Sequence, residues 1–216
     1  MGGRWVLASS NPGKLREFRH ALSPILTAQG IALIAQSDLG IASADEPHDT
    51  FEANALAKAR HASRASGGPA LADDSGLCVS ALGGAPGVRS ARYWEDHRDS
   101  QDATLRAQLD AVPVEEANWR FLLRQLKAPS PAQFRAVIVW VRSAEDPCPI
   151  VAHGVWDGEV TGEVRGGQGF GYDPIFFDRH WKKMAAELRV EEKHHVSHRG
   201  AALRGFMDQW ALRHKA

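Results

Sequence analysis

Short apolar runs alternate along this chain with longer segments whose apolar residues recur every three or four positions. The runs at Arg4–Ala8, Gly30–Ala35 and Phe134–Val141 have the length and composition of buried strands. Helical spacing covers Phe51–Ala65 and Asp102–Leu126, the latter broken by a proline. This alternation predicts an α/β protein.

The second half of the chain contains mostly strand-like segments. Pro149–Trp156 and Val160–Val164 are β-prone, and the Asp-Gly pair between them is typical of a hairpin turn. Pro129-Ser130-Pro131 reads as a connector. The chain length fits a single domain of residues 1–216, in which a second lobe covers roughly residues 131–180.

Polar residues interrupt the apolar pattern most sharply within Leu71–Leu77. Asp73 and Asp74 follow a buried run, and apolar residues resume after Gly76, which predicts a strand, a tight turn and a second strand. Adjacent strand side chains point to opposite faces, so one carboxylate can serve chemistry while the other braces the turn or binds a metal from the side. Gly76 would let a ligand or backbone approach closely. An Asx-type turn without chemistry explains the residues equally well.

The loop that follows the first predicted strand leads into a helix. Its residues are Ser9, Ser10, Asn11, Pro12, Gly13 and Lys14. N–H groups at a helix N-terminus favour an anion, and the lysine adds a cation, so the loop is a candidate phosphate site. The loop lacks the Walker A pattern, and an ordinary capped strand-to-helix turn is the alternative interpretation.

An acidic loop with Asp45 and Glu46 precedes the helix that Thr50 is expected to begin. In that helix, Asn54 and Lys58 are four residues apart and therefore share one face. Polar side chains on one face can line a cleft. A solvated helix surface is the alternative.

A second unusual loop lies at Gly166–Pro174, where Phe170 and Tyr172 stand among glycines. Aromatic residues in a flexible loop suit stacking on a flat ligand. The alternative is a glycine-rich hairpin whose aromatic side chains pack into the core.

The last predicted helix has Ser197 as a suitable N-cap. His198 and Arg199 would then lie in its first turn, where cations oppose the helix dipole. This local conflict indicates that the two residues have a further role.

Composition narrows the class of partner. Lys plus Arg and Asp plus Glu both number 26, which disfavours nucleic acid or an anionic membrane as the main partner. The apolar runs are too short to span a bilayer, and the N-terminus lacks a signal-peptide h-region. Cys78 and Cys148 form no CxxC pair, which fits a reducing cytoplasm.

The candidate segments match the parts of one ligand. The first loop suits phosphates, and the two acidic segments suit a hard divalent cation such as Mg²⁺. The aromatic loop, with the cations of the last helix, suits a flat heterocycle that carries acceptor atoms. The sequence therefore predicts a binding site for a small-molecule nucleoside triphosphate.

The ordered motifs of this chain resemble the inosine/xanthosine triphosphate pyrophosphatase family over about residues 5 to 210. The motifs are Ser-Asn-Pro-Gly-Lys at 10–14, Thr-Phe-Glu-Ala-Asn-Ala at 50–55, Ala-Asp-Asp-Ser-Gly-Leu at 72–77, Gly-Gly-Ala-Pro-Gly at 83–87, Ser-Ala-Arg-Tyr at 90–93, Gly-Phe-Gly-Tyr-Asp-Pro-Ile-Phe at 169–176, and Glu-Glu-Lys with Ser-His-Arg-Gly at 191–200.

This resemblance implies a long, curved, mixed β-sheet flanked by helices, with two lobes and the active cleft between them (Maf/ITPase-like), and a homodimer. It implies Mg²⁺-dependent hydrolysis of ITP, dITP and XTP to the monophosphate and pyrophosphate, which cleanses the nucleotide pool. Two alternatives remain open: a Maf-like pyrimidine nucleotide pyrophosphatase, and a nucleotide-binding module without catalysis.

The resemblance also implies residue roles. Glu46 and Asp74 would hold Mg²⁺, and Asp74 would also be the proton acceptor. The substrate-binding residues would be Ser9, Ser10, Asn11, Pro12, Gly13, Lys14, Lys58, Ser75, Phe170, Gly171, Tyr172, Asp173, Lys193, His198 and Arg199. The chain departs from the family pattern at Ala53, where an acidic residue often precedes the asparagine. Asp45 beside Glu46 leaves the second metal ligand open between these two.

Overall fold

A computed structural model describes residues 3–127 and 129–214. The strands are β1 Arg4–Leu7, β2 Ala32–Ala35, β3 Ala70–Val79, β4 Ser130–Val141, β5 Ile150–Val160, β6 Phe176–Asp178 and β7 Lys183–Met184. Within the described residues they form a seven-stranded sheet in the order β2-β1-β3-β4-β5-β6-β7. β1 pairs in parallel with β2 and β3, whereas β6 pairs antiparallel with β5 and β7, so the sheet is mixed.

Helices connect β1 to β2, β2 to β3 and β3 to β4, and two more follow β7, which confirms the predicted α/β class. The α-helices are α1 Pro12–Gln29, α2 Phe51–Ser66, α3 Tyr93–Arg98, α4 Ala103–Asp110, α5 Val114–Gln125, α6 Val190–Val196 and α7 His198–Arg213. Short 3₁₀ helices lie at Gln36–Leu39, Ser80–Leu82, Gly87–Arg92, Asp173–Ile175 and Ala185–Glu187. In the part of the chain that the structure describes, no helix is long and apolar enough to cross a membrane.

The described chain divides into two compact units. The first contains Met1–Asp74, Ala136–Gly154 and His198–Ala216, and the second contains Ser75–Arg135 and Val155–Ser197. The predicted second lobe, roughly residues 131–180, coincides with the second unit only at 131–135 and 155–180. The difference arises because β4 and β5 each contribute residues to both units, and because Ser130 and Pro131 begin β4 instead of forming a linker.

In the first unit, the strands bury both of their faces. Trp5 and Leu7 of β1 pack with α1 and α7, and the intervening Val6 packs with alanines of α2. This division follows from the alternation of side chains along a strand. It explains why α2 carries alanines at its inner positions, since small side chains let the helix lie close to the sheet. α1 contributes Phe18 and Leu22 to the other cluster.

The core of the second unit is rich in aromatic residues. α3 and α5 contribute Tyr93, Trp94 and Phe121, and the strands contribute Trp156 and Phe176 among others. The indole of Trp156 donates to Asp178 Oδ2 at 2.6 Å, so its buried N–H group is satisfied. This core supports the Gly166–Pro174 loop described below.

The turns predicted within Leu71–Leu77 and at Asp157-Gly158 are wrong. In each, the glycine permits a close tertiary contact within a strand. β3 runs unbroken through Asp73, Asp74 and Gly76, and β5 continues through the pair that ends in Gly158. A Cβ atom on Gly76 would overlap Gly87 O, and one on Gly158 would overlap the neighbouring strand β6. Gly76 therefore admits a close backbone approach, as predicted, but within a strand.

Candidate active site

The buried carboxylate of Asp73, on β3, binds two cationic side chains of the first unit. Asp73 Oδ2 lies 2.6 Å from Lys14 Nζ and 3.2 Å from Arg199 Nη2, and the Asp73 side chain is fully buried. The same guanidinium donates from Nη1 to Glu17 Oε2 at 3.0 Å. Burial opposes the charge on Asp73, but Arg199 and Lys14 outweigh it and hold the pKa of Asp73 well below its usual value. Asp73 is therefore an ionised anchor for two predicted substrate-binding residues.

The next residue along β3 contacts a different cation. Lys58 Nζ donates to Asp74 Oδ1 at 2.8 Å and to Glu46 Oε1 at 2.6 Å. It also donates to Asp73 O at 2.9 Å. Burial opposes the charge on Lys58, but the Asp74 and Glu46 carboxylates outweigh it and raise the pKa of Lys58 above its ordinary value. The ammonium therefore bridges the two predicted metal ligands.

For Asp74, burial affects the pKa more than the neighbouring Lys58 does. It raises the pKa of Asp74 above the usual value, although Lys58 acts in the opposite direction. The Asp74 side chain retains about a tenth of its exposure, so the carboxyl group lies near the surface of the unit. A carboxyl group with a raised pKa near a reaction centre is suited to accept a proton.

Helix α2 fixes both Lys58 and the loop that carries Glu46. Thr50 caps the helix by accepting from Ala53 N at 3.2 Å, as predicted. Asn54 Oδ1 accepts from His48 N and Asn54 Nδ2 donates to His48 O, both at 3.0 Å. Asn54 and Lys58 are both buried, so the alternative of a solvated helix face is wrong.

The Ser9–Lys14 loop forms the predicted junction between β1 and α1. Asn11 caps the helix, because its Oδ1 accepts from Gly13 N at 2.8 Å and from Lys14 N at 3.2 Å. Ser9 Oγ accepts from Asn11 N at 3.1 Å, which tightens the turn before the helix. The cap directs the start of α1 so that Lys14 reaches Asp73. Phosphate binding by the six residues of this loop stays a prediction.

The first two residues of α7 are buried at a close contact with β5. His198 and Arg199 begin the helix, as predicted, and each is less than a tenth exposed. A Cβ atom on Gly154 would overlap His198 O and lie 2.6 Å from Ala202 N, so glycine permits this contact. Arg199 thereby reaches Asp73 and Glu17. Burial opposes the charge on Arg199, but these two carboxylates outweigh it and raise the pKa of Arg199. Base recognition by His198 and Arg199 stays a prediction.

Glu46 and Asp74 fit a magnesium ion on structural grounds. Among residues 3–127 and 129–214, none donates a hydrogen bond to the buried Asp74 Oδ2. Within the same described ranges, no three His, Cys, Asp or Glu side chains group as a metal site. The buried Asp74 oxygen is compatible with Mg²⁺, which keeps several waters and takes one or two carboxylates together with substrate phosphates. Glu46 shares Lys58 with Asp74, whereas Asp45 is exposed. Metal binding by either residue stays a prediction.

The glycine-rich loop of the second unit is held by Asp173. Its Oδ2 accepts from Phe170 N at 2.8 Å and forms an ion pair with Lys193. Lys193 Nζ also lies 5.2 Å from the centre of the Phe170 ring, within the range of a cation–π contact. Gly169 has a φ of +83°, and a Cβ atom there would overlap the Asp173 carboxylate. Three of the predicted nucleotide-binding residues of this unit therefore form one cluster.

Tyr172 is a core residue, which corrects the prediction of a platform made from two aromatic residues. Its ring belongs to the buried core, and its hydroxyl donates to Ser90 O at 2.9 Å. Phe170 is half-buried and remains the candidate for stacking. Gly171 N donates to Glu115 Oε2 at 3.1 Å, which ties the loop to the start of α5. Ser75 lies half-buried in β3, directly after Asp74.

Sequence reasoning did not identify two residues that contact predicted site residues, one in each unit. Glu17 lies one helical turn after Lys14 on α1, and that spacing was an available signal for a shared face. Glu115 lies 56 positions from Gly171, and no local pattern connects the two. The sequence left the roles of Asp73 and Asp74 open between chemistry, a metal and a turn, whereas Asp73 binds Lys14 and Arg199.

Comparison with known proteins gives consistent matches over nearly the whole chain. The family model described as Ham1 family matches residues 5–209. A protein named dITP/XTP pyrophosphatase from Ralstonia nicotianae is 50% identical over 212 residues, which cover 97% of this chain and 97% of that protein. A protein of the same name from Bordetella pertussis is 48% identical over 208 residues, which cover 95% of this chain and 90% of that protein.

Solved structures agree with these matches. The structure of a HAM1 protein from Coxiella burnetii has a TM-score of 0.81 to this chain at 36% identity. The match covers 97% of this chain and 99% of that chain. The family resemblance and the expected mixed β-sheet flanked by helices are confirmed.

Proposed function

This chain belongs to the Ham1 family, and on that premise we propose that it hydrolyses non-canonical purine nucleoside triphosphates. The substrates are dITP, XTP and ITP, and the products are the monophosphate and pyrophosphate. The names of the two bacterial relatives support this substrate class. The observation that carries the proposal is that two neighbouring carboxylates differ in their contacts. Asp73 binds cationic side chains, whereas Asp74 has one buried oxygen to which no described residue donates a hydrogen bond.

In this proposal, Mg²⁺ is held by Glu46 and Asp74. When bound, the ion would neutralise phosphate oxygens and polarise the attacking water. No residue in the described part of the chain donates to Asp74 Oδ2, which supports this assignment because a cation stabilises a buried carboxylate oxygen that has no donor. Asn54 supports it further, since it keeps the Glu46 loop in place through His48.

Asp74 is the proposed proton acceptor for water that attacks the α-phosphorus. Its raised pKa improves its match to this task, since a stronger base removes the proton more readily at neutral pH. Lys14 is the proposed cation for the departing pyrophosphate. Asp73 orients its ammonium group, and a preoriented cation stabilises developing charge without reorganising at the moment of reaction.

Base selection is proposed to follow from donors and acceptors. Hypoxanthine and xanthine carry an oxygen acceptor at position 6, whereas adenine carries an amino donor. Donors from His198 and Arg199 would match the former and leave adenine unpaired. A mismatch of this kind discriminates by roughly 10⁴-fold. The contacts predicted for Ser75, Phe170, Gly171, Asp173 and Lys193 belong to the same hypothesis.

A substrate panel tests the proposed function. Purified protein is incubated with dITP, XTP, GTP, dTTP and UTP, with and without Mg²⁺, and phosphate and pyrophosphate are assayed separately. We expect pyrophosphate from dITP and XTP only when the metal is present, and no activity after chelation. Preferential hydrolysis of dTTP or UTP would support a pyrimidine-directed enzyme instead. Tight binding without product would support a nucleotide-binding module.

We further propose that the protein is a homodimer and acts in the cytoplasm. The family resemblance supports the first point, and cysteine usage supports the second. Light scattering coupled to gel filtration measures the first, and a mass of one chain, 23.6 kDa, would contradict it.

A further inference from the structure

Lys58 occupies the position between the two carboxylates that are proposed to hold the metal. Its Nζ atom lies 2.6 Å from Glu46 Oε1 and 2.8 Å from Asp74 Oδ1. The backbone oxygen of Asp73 lies 2.9 Å from the same nitrogen. An ammonium group has three N–H donors, and these three acceptors engage all of them.

The charged groups of this arrangement are largely buried, so water screens the interaction between them only weakly. Lys58 is mostly buried in helix α2, and its side chain retains about a tenth of its exposure. Asp74 is also largely buried, and its Oδ2 atom receives no hydrogen bond from residues 3–127 or 129–214. One oxygen of Asp74 is therefore bound to the ammonium, and the other is available to a second cation.

We propose that the Lys58 ammonium acts as a resident cation that makes metal binding by this protein dependent on the nucleotide. In the nucleotide-free protein, the single positive charge of Lys58 offsets part of the negative charge of Glu46 and Asp74. A divalent cation that approaches these carboxylates is repelled by the ammonium and competes with it for the same oxygens. The metal therefore binds tightly only when a triphosphate supplies further oxygen ligands and negative charge.

This inference rests on the proposed function, because it takes Mg²⁺ as the cation that the reaction uses. It goes beyond a substrate-binding role for Lys58, since it assigns an order to the two ligands. Free metal does not occupy the protein first, and the metal–nucleotide complex binds as a unit. The same arrangement prevents the buried carboxylates from holding a metal ion when no substrate is present.

The test measures binding of Mn²⁺ alone to the nucleotide-free protein by electron paramagnetic resonance, which reports free Mn²⁺. Lys58→Gln removes the charge and keeps an N–H donor. Arg64→Gln on the same helix is the matched control, because Arg64 pairs with Glu145 at the exposed surface. We expect Lys58→Gln to bind Mn²⁺ at least about tenfold more tightly than the wild-type protein, because a full positive charge has been removed from the site. Arg64→Gln should match the wild type.

Equal Mn²⁺ affinity of the wild type and Lys58→Gln would overturn the inference. If Lys58→Gln does not fold, the wild-type protein provides a second readout, the ¹⁵N resonance of the Lys58 ammonium. We expect this resonance to shift when Mg²⁺ is added with a dITP analogue that has a methylene group between the α and β phosphorus atoms. An unchanged resonance at saturation would overturn the inference.

These readouts separate the inference from the proposed function. Tighter Mn²⁺ binding by Lys58→Gln, without pyrophosphate release from any triphosphate by the wild type, would refute the function and keep the resident cation. Metal-dependent pyrophosphate release together with unchanged Mn²⁺ affinity would do the reverse.

Discussion

Replacement of Asp73 by asparagine should destabilise the protein far more than the same change at its neighbour Asp74. The substitution keeps the size of the side chain and removes its charge. In the folded protein, Asp73 is surrounded by Lys14 and Arg199, and its pKa lies well below the usual value. The fold therefore favours the charged form of Asp73, and a neutral side chain loses that stabilisation.

The structure sets the size of this effect. Removing one partner from a buried ion pair costs about 3–5 kcal/mol, because the remaining charge is left uncompensated. Lys14 is about a fifth exposed and can turn to water, whereas Arg199 is about a twentieth exposed and retains Glu17. We therefore expect about 3 kcal/mol, at the lower end of that range. This is a large fraction of the roughly 5–15 kcal/mol that stabilises a typical protein.

Urea denaturation followed by tryptophan fluorescence and circular dichroism measures the change. With a slope of about 2 kcal/mol/M, the midpoint for Asp73→Asn should fall by roughly 1.5 M. Asp74→Asn should stay within about 1 kcal/mol of the wild type, because burial already raises the pKa of Asp74 and favours its neutral form.

Asp74→Asn, the variant expected to remain stable, should be the one that loses activity. Asp74→Asn should fold and lose about 10²- to 10⁴-fold in turnover, as expected for a lost proton acceptor. Equal stability of Asp73→Asn and the wild type would refute the assignment of Asp73 as the anchor of the cations. Wild-type turnover by a folded Asp74→Asn variant would exclude its proposed role.

Three further predictions follow from contacts described above. Gly76→Ala should lower the free energy of unfolding by about 1–3 kcal/mol in urea denaturation, because its Cβ atom would overlap a backbone oxygen. Glu115→Ala should raise KM for dITP with little change in kcat, because it releases Gly171; Glu116→Ala on the same helix is the control, and equal KM values would contradict this. Burial opposes ionisation of Asp146, but backbone N–H groups outweigh it and lower its pKa, so its stabilisation is complete above about pH 4 and lost as the pH falls further. Asp146→Asn should therefore flatten the acid limb of the pH–stability profile, and an unchanged limb would refute this.

Local signals in the sequence were sufficient for many elements of the fold. Thr50 and Asn11 cap helices where their side chains predict caps, and the proline between α4 and α5 separates two helices as expected. The same local reasoning failed at Gly76 and Gly158. A glycine is required for a turn and for a close tertiary contact alike, and only the position of the distant partner distinguishes the two.

Local patterns in the sequence were equally insufficient for the long-range contacts of the candidate site residues. The motifs pointed to Lys14, Lys58, Asp74 and Arg199 individually, through residue type and order along the chain. The contact between Lys14 and Asp73 joins residues 59 positions apart, and the contact between Arg199 and Asp73 joins residues 126 positions apart. Sequence patterns do not record such pairings, so the role of Asp73 as an anchor appears only in the folded protein.

The double hydrogen bond between Asn54 and His48 has a consequence for engineering of metal preference. A side-chain amide offers a donor and an acceptor together, which neither a carboxylate nor an alkyl group can supply. One turn further along α2, Lys58 donates a hydrogen bond to Glu46 itself, so the loop is fixed to the helix at two points. At the proposed Mg²⁺ site, a larger ion would need longer bonds to oxygen, and room for it would require helix α2 and the loop that carries Glu46 to shift. Selection for a new metal should therefore begin with substitutions that weaken the contacts of Asn54 and Lys58 with this loop, before any ligand is exchanged.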